Sequence, residues 1–557
     1  MTTMSISGTI HEDVTTEVLG NIGAWQWTVT ILSTFLAAPT VLNQYEDAFL
    51  LQPPNGVVCM SQYNVTLCSY TVNGTEFMCD SWQVRFMWLV WIKKTWLIFC
   101  DKDSTILLIL TVICRFGLCL GSIIFGLISD GFGRRIAIMI NIIAELIFRL
   151  AITFCDSESW YLLLIFLKSL STSGIYYLGL VVVCEIASNK WRTILGFMVS
   201  FPRLLNSTCM LAIANSAPNL ETYNFIAFLV GLLPLILIRW IPESPQWLLY
   251  NRRISSAEKI LISAAKKNRV KLCNDFKIRP VDHRAYKCLD EEWTCFTILY
   301  THNVRIIVLS CLIFWALYFF LWSPLYMEVY KDPIYAPVKV LPTTAFLGLP
   351  YVCLGKKMKL RFWLALNIVI LGTSTSIFVF KKRLHLNVVI LEVISTIGLA
   401  SGLISHALLL NITPRVLATK CRATLFGCYY SLGHLGTMTA YLITTQDIRD
   451  LTMMIVVLVI TLILVFICLI LPDVDGRELP DTLKDMDYFS ELSKPLRWVA
   501  QKTNSPSHEE LELRVHSFSM DGNNSDDTNP PQQIGFVRIW HFIYKSCRRC
   551  QNNKTNE

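Results

Sequence analysis

The chain has 557 residues, 53% of them hydrophobic and 16% charged, with mean hydropathy +0.47 and a formal net charge of +8. That balance is too apolar for a water-soluble protein of this length and points to a polytopic all-α membrane protein. No phosphate loop, metal-ligand spacing or nucleophile constellation appears, so no enzyme, no cofactor and no nucleic-acid partner are expected; the partners are a bilayer and a small solute.

Residues 1–23 form a polar N-terminus whose "HEDVTTE" lacks the basic start of a cleavable signal. Span 1 follows at 24–43, in an apolar run long enough to cross ~30 Å of hydrocarbon as a helix of ~20 residues. Residues 44–104 then form a long loop with Cys59, Cys68, Cys79 and Cys100 and the sequons at Asn64 and Asn73. An even set of cysteines beside two sequons reads as an extracellular, glycosylated cap with two disulfides, for which three pairings are open. The alternative is free thiols in an irregular loop.

Spans 2–6 occupy 105–242, in apolar runs near 105–128, 136–154, 159–184, 194–216 and 223–241. A polar stretch, 243–302, separates them from spans 7–12 within 303–471, which run near 304–326, 337–354, 361–380, 386–410, 423–444 and 451–471. Its "SSAEKILISAAKKNRV" has helical amphipathic spacing. The expected architecture is twelve transmembrane helices, six plus six. Lysine and arginine crowd the segment after span 6, the "GKKMKLR" after span 8, and the links holding Arg134/Arg135 and Lys190/Arg192. These links alternate to one side, which places them and both termini in the cytoplasm. The acidic N-terminus and "KKRLH" at 381–385 run against that bias. The tail, 472–557, is polar and expected to be largely disordered. Near its end, "IGFVRIWHFIYKSCRRC" suits a helix on an anionic leaflet, with Cys547 or Cys550 open to acylation, or an unstructured end with incidental aromatics.

The knot "GLISDGFGRR" at 126–135 lies between spans 2 and 3. Its glycines allow a tight turn, and a carboxylate four residues before an arginine can close a charge pair. At a membrane edge such a pair can hold one conformation and still break, which is what a gate requires. A mere positive-inside turn explains the arginines but not Asp130 together with the glycines.

Charged groups within the spans are expensive unless they face a cavity or a partner. The candidates are Arg115, Glu145, Arg149, Lys168, Arg203, Glu392, His406 and His434. Glu145 and Arg149, four apart, are expected to pair with each other. Lys168 and Glu392 are substrate candidates, while Arg115 and Arg203 can snorkel or bridge helices. Span 7 concentrates Trp315, Tyr318, Phe319, Phe320, Trp322 and Tyr326, a set able to hold an alkylammonium group or simply to pack.

With six plus six spans, the knot resembles the link between spans 2 and 3 of the major facilitator superfamily. "WLIFCDKD" (96–103), "CEIASNKWRTILG" (184–196) and "WIPESPQWLLYNRR" (240–253) resemble the organic cation, organic anion and carnitine transporters of that superfamily, the solute carrier family 22-like group. "GNIGAWQWTV", with Gly23 and Gln26, and the cysteine-bearing loop fit the same pattern. The resemblance implies two six-helix bundles around one midplane substrate site, opening alternately to either side. It implies a gate of Asp130, Arg134, Arg135, Glu185 and Arg192, flanked by Glu243 and Arg253, with Arg422 retained in the second half.

Several positions depart from the family pattern. Arg415 stands where the family has a glutamate, Ala418 where it has a proline, Ile165 where it has an arginine and Gln246 where it has another. These changes point to a differently wired second-half gate. Where cation carriers have an aspartate and anion carriers an arginine, this chain has His434, which can be neutral or charged near physiological pH or can serve as a packed structural residue. The reading is a plasma-membrane carrier of organic cations or carnitine-like zwitterions, with Trp315, Tyr318, Trp322, Gln26, Lys168, Glu392 and His434 as substrate-contact candidates. The alternatives are an organic anion carrier and a transport-inactive receptor or scaffold. The cysteine loop argues against sugar or peptide carriage.

Overall fold

The computed structural model describes residues 18–43 except 21, four strand segments between 57 and 84, and 105–155, 158–188, 191–200, 220–270, 272, 278, 298 and 301–329. Beyond these it describes 340, 342–348, 359–384, 387–444, 450–475, 479–480 and 483–487. Among the described residues, eight helices are long and apolar enough to cross a membrane. They are spans 2, 3, 4, 6, 7, 9, 10 and 12 of the expected series. Span 11, Arg422–Thr444, is equally long but more polar, and spans 1, 5 and 8 are described in shorter helical pieces.

In the long loop, Val57–Cys59 (β1) pairs antiparallel with Trp82–Val84 (β4), and Ser69–Val72 (β2) with Thr75–Met78 (β3). The strands are nested in sequence, the inner hairpin lying between the two outer strands. Cys68, Cys79, Cys100, Asn64 and Asn73 lie outside the described residues, as do the side chain of Cys59, Arg203 and the tail beyond 487.

The knot between spans 2 and 3 is not a loop. Span 2 runs as helix from Thr105 through Asp130 to Phe132, and span 3 begins at Arg134. The whole reversal falls on Gly133, whose φ of 118° is a conformation that a side chain would strain. Span 10, expected to stop near 410, likewise continues to Val416, which places Arg415 in its last turn. Hydropathy ends at the last apolar residue, whereas backbone hydrogen bonding carries the helix on into polar sequence.

Span 2 packs along span 11, span 7 along spans 10 and 11, span 9 along spans 10 and 12, and span 3 along spans 4 and 6. The contact between spans 2 and 11 joins the two halves through small residues. A Cβ on Gly427 would collide with the Ser122 carbonyl, so the backbones can approach this closely only with glycine there. The Tyr177 hydroxyl donates to the same carbonyl at 2.6 Å, and Cys119 Sγ lies 2.8 Å from Ser431 Oγ. The first half also meets span 10 through the start of span 5.

The stretch between the halves forms two short helices. Ser244 caps Pro245–Tyr250 by accepting from the Trp247 amide at 3.2 Å, with proline at the first helical position. The amphipathic run is the helix Ile254–Asn268, buried along Ala257, Leu261, Ala264 and Ala265 and closed by Arg269 in the left-handed conformation. Asn268 ties it to the start of span 1. Its Oδ1 accepts from the Trp25 amide at 2.7 Å and its Nδ2 donates to Gln26 Oε1 at 2.8 Å.

Candidate functional site

Two sites emerge, a buried charge cluster at one end of the bundle and a cavity nearer its middle. The cluster sits where the links 2–3, 4–5 and 10–11 converge. Glu185, 1% exposed at the end of span 4, is its centre. Arg134 approaches it through Nε at 3.2 Å and Nη2 at 3.0 Å, and Arg422 through Nη1 at 2.8 Å. Asp130 lies 3.0 Å from Arg134 Nη1 and supplies the second carboxylate. Two guanidiniums and two carboxylates therefore balance in a site from which water is excluded; alone, any one of them would cost several kcal/mol.

Asp130 also reaches across the halves. Its carboxylate accepts from the Ala423 amide at 3.3 Å, the Thr424 amide at 2.7 Å and the Thr424 hydroxyl at 2.7 Å. Those amides open span 11, so a first-half carboxylate caps a second-half helix at its positive end. Arg134 Nη2 adds a bond to the Thr419 carbonyl at 3.1 Å.

Glu243 plays the equivalent part within the first half. It accepts from the amides of Arg134 at 2.8 Å and Arg135 at 3.2 Å, capping span 3, and from that of Ser244 at 3.1 Å. Burial pushes its carboxyl above the ordinary 4.5, against the pull of these amides and of Arg134. Trp247 roofs the group: Arg134 and Arg253 lie 5.8 and 5.4 Å from its ring, and its Nε1 donates to the Asp130 carbonyl at 3.0 Å. Arg135 turns outward to the Arg239 carbonyl, and Arg192 ties the carbonyls of Cys184 and Ala187.

The cavity is narrow and is lined from both halves. One side is polar: Thr40 and Asn43 of span 1, Arg115 of span 2 and Ser173 of span 4. The other is aromatic: Phe319, Trp322 and Tyr326 of span 7 and Tyr430 of span 11, with His434 and Thr437 beside them. His434 is 6% exposed and packs edge-on to Tyr430 at 5.0 Å.

Of the sequence candidates, the structure thus brings Trp322, His434 and Arg115 together at the cavity. Trp315 and Tyr318 are fully buried, Trp315 edge-on to His406 and Tyr318 stacked on it, and they donate to the Thr413 hydroxyl and the Gly402 carbonyl respectively. Gln26 is buried at the polar end against Asn268. Lys168 is buried in span 4 and does not line the cavity, and Glu392 lies on an exposed face of span 10. Glu145 and Arg149 pair at 2.6 Å, with Asn224 of span 6 accepting from the same guanidinium.

Sequence reasoning missed Thr424, Asp475 and the polar lining of spans 1 and 4. Single hydroxyls and amides in apolar runs carry no periodic signal. Tyr430 was findable, since it stands one helical turn before His434.

The first half matches the family model described as "Sugar (and other) transporter" over residues 55–322. The fold matches the solved structure of the proton:xylose symporter XylE bound to 6-bromo-6-deoxy-D-glucose, with a TM-score of 0.57 at 13% identity, covering 85% of this chain and 99% of that one. The likeness shows the fold of the major facilitator superfamily. Solute carrier family 22 member 13 of Homo sapiens is 23% identical over 492 residues, 85% of this chain and 84% of its own length. Member 2 of Rattus norvegicus is 22% identical over 384 residues, 67% of each chain, and the organic cation transporter protein of Drosophila melanogaster is 28% identical over 199 residues, 34% of this chain and 36% of its own. The chain is similar in sequence to solute carrier family 22 transporters and has the fold of that superfamily.

Proposed function

We propose that this transporter carries a carnitine-like zwitterion across the plasma membrane by alternating access, with the charge cluster as its cytoplasmic gate. One observation supports the substrate class. The cavity sets a guanidinium, Arg115, against the rings of Phe319, Trp322, Tyr326 and Tyr430, and has no carboxylate among its described lining residues. A guanidinium suits a carboxylate, and an aromatic wall suits an alkylammonium through cation–π attraction. A simple organic cation would lack a counter-charge there, so an organic anion is the second reading. His434 lines the same cavity beside Tyr430.

The proposed cycle follows from the cluster. With Asp130, Arg134, Glu185 and Arg422 joined, the cytoplasmic end is shut while the cavity can open to the outside. Breaking the cluster lets the halves tilt and release substrate inward. Both termini, the linker helix and the basic links lie on the cytoplasmic side by the charge bias of the loops.

Uptake into liposomes of labelled carnitine-like zwitterions, tetraalkylammonium ions and carboxylates tests this reading. We expect zwitterion uptake to exceed both, and to fall at least about tenfold with Arg115→Gln or Trp322→Leu, the loss of one charge-assisted bond or one stacked ring. His434→Asp should favour cations and His434→Arg carboxylates. Uptake of no solute under any condition would instead favour a receptor or scaffold.

A further inference from the structure

The polar end contains an internal repeat. Glu185-Ile-Ala-Ser-Asn-Lys-Trp-Arg192 in the first half is matched in the second by Arg415-Val-Leu-Ala-Thr-Lys-Cys-Arg422, and one offset relates Cys184 to Pro414 and Ala187 to Leu417. The hydrogen bonds repeat with the sequence. Arg192 donates to the carbonyls of Cys184 at 3.0 Å and Ala187 at 2.8 Å, and Arg422 to those of Pro414 at 3.0 Å and Leu417 at 3.2 Å. Each arginine thus holds the end of the long helix before it.

The first residue of the motif breaks the symmetry. Glu185 crosses between the halves to Arg422 at 2.8 Å. Its counterpart, Arg415, crosses in the opposite direction, but its Nη1 donates to the Thr193 hydroxyl at 2.9 Å, beside Arg192. A carboxylate at 415 would carry the charge opposite to that of Arg192, next to Thr193 in the chain; the arginine carries the same charge, and its Nη2 donates within its own helix to Asn411 Oδ1 at 2.7 Å. A small gap remains between Arg192 and Gly196 on one side and Asn411 and Pro414 on the other.

The charge of Arg415 is met from the segment after span 12. Asp475 Oδ1 lies 4.0 Å from Arg415 Nη1, while its Oδ2 accepts from the Leu360 amide at 3.1 Å and so caps span 9. The same segment brings the Pro480 carbonyl to Arg422 Nη2 at 3.2 Å and to the Thr419 amide at 3.0 Å. It therefore touches both Arg415 and Arg422.

We propose that Arg415 is a positioning residue that makes the gate electrostatically one-sided. One limb is the cross-half ion pair of Glu185, and the other is a neutral clamp on Thr193 tied through Asp475 to the strap after span 12. The strap thereby sets how readily the second limb releases. This rests on the alternating-access reading, and its test separates the two.

Hydrogen–deuterium exchange of the full-length protein in lipid nanodiscs reads the gate without a substrate, through the Thr424 amide held by Asp130 and the Thr419 amide held by Pro480. Arg415→Glu combined with Asp475→Asn sets a carboxylate toward Arg192 without leaving two acids face to face, and should slow exchange at Thr424 roughly tenfold, the worth of one charge-assisted bond. Asp475→Asn alone, the milder change, should speed exchange at Thr419 several-fold. If the double variant exchanges at the parental rate or faster, or Asp475→Asn leaves Thr419 unchanged, the inference is overturned. Glu185→Gln serves as the reference. Faster exchange at Thr424 there, with no response at 415 or 475, sinks this inference alone, whereas no response even there removes the gate reading with it.

Discussion

Glu185 joins the two halves at the polar end, because it accepts from one guanidinium of its own half and one of the other. Removing one partner of a buried ion network leaves the others charged and unmatched, at a cost of ~3–5 kcal/mol. Glu185→Ala should therefore destabilise the protein by that order in a detergent melt and abolish the closed state. Glu243 makes a pH-dependent contribution of a different sign. Its folded-state pKa is raised above 4.5, so the folded protein holds this proton more tightly than the unfolded chain. Stability from this group therefore declines as pH rises from 4.5 through the raised value. Glu243→Gln should flatten that part of the pH–Tm profile; an unchanged slope would show that another group controls it.

The helices divide the work of holding the closed end. The linker helix Ile254–Asn268 is joined to span 1 by Asn268, whose amide serves both the Trp25 backbone and the buried Gln26. Asn268→Ala should cost ~1–3 kcal/mol, the penalty of leaving buried polar groups unmatched, and raise proteolytic nicking of the linker without altering the cavity. Gly427→Ala should act on the packing of spans 2 and 11, where the added Cβ meets the Ser122 carbonyl. Overpacking typically costs ~1–3 kcal/mol, so a lower Tm is expected. Both glycine and asparagine could be seen in the sequence, but neither announced a partner. Each acts on a residue far along the chain, and the 3.6-residue period that identifies a helix is silent about what its small residues touch.

For the molecule as a whole, the proposed alternating-access cycle requires spans 2 and 11 to part at one end while staying hinged elsewhere. Cys119 Sγ lies 2.8 Å from Ser431 Oγ across that junction. Ser431→Cys should allow a disulfide with the native Cys119 under mild oxidation, halting uptake until a reductant is added. Uptake that continues with the crosslink formed would mean that the halves do not separate there during the cycle.

The sequence by itself determined the order of the eight long apolar spans among the described residues and named the first-half charges that meet at the polar end. Helix length against bilayer thickness and the spacing of charges along one chain are local quantities, and they can be read off residues such as Asp130, Arg134 and Glu185. Only the tertiary structure decided that Asp130 caps span 11, that Trp322 rather than Trp315 lines the cavity, that Glu392 faces away from it, and that Arg415 is answered by Asp475. Those outcomes depend on which faces of distant helices meet once the chain has folded, and apolar composition, uniform around a membrane helix, does not say which face turns inward.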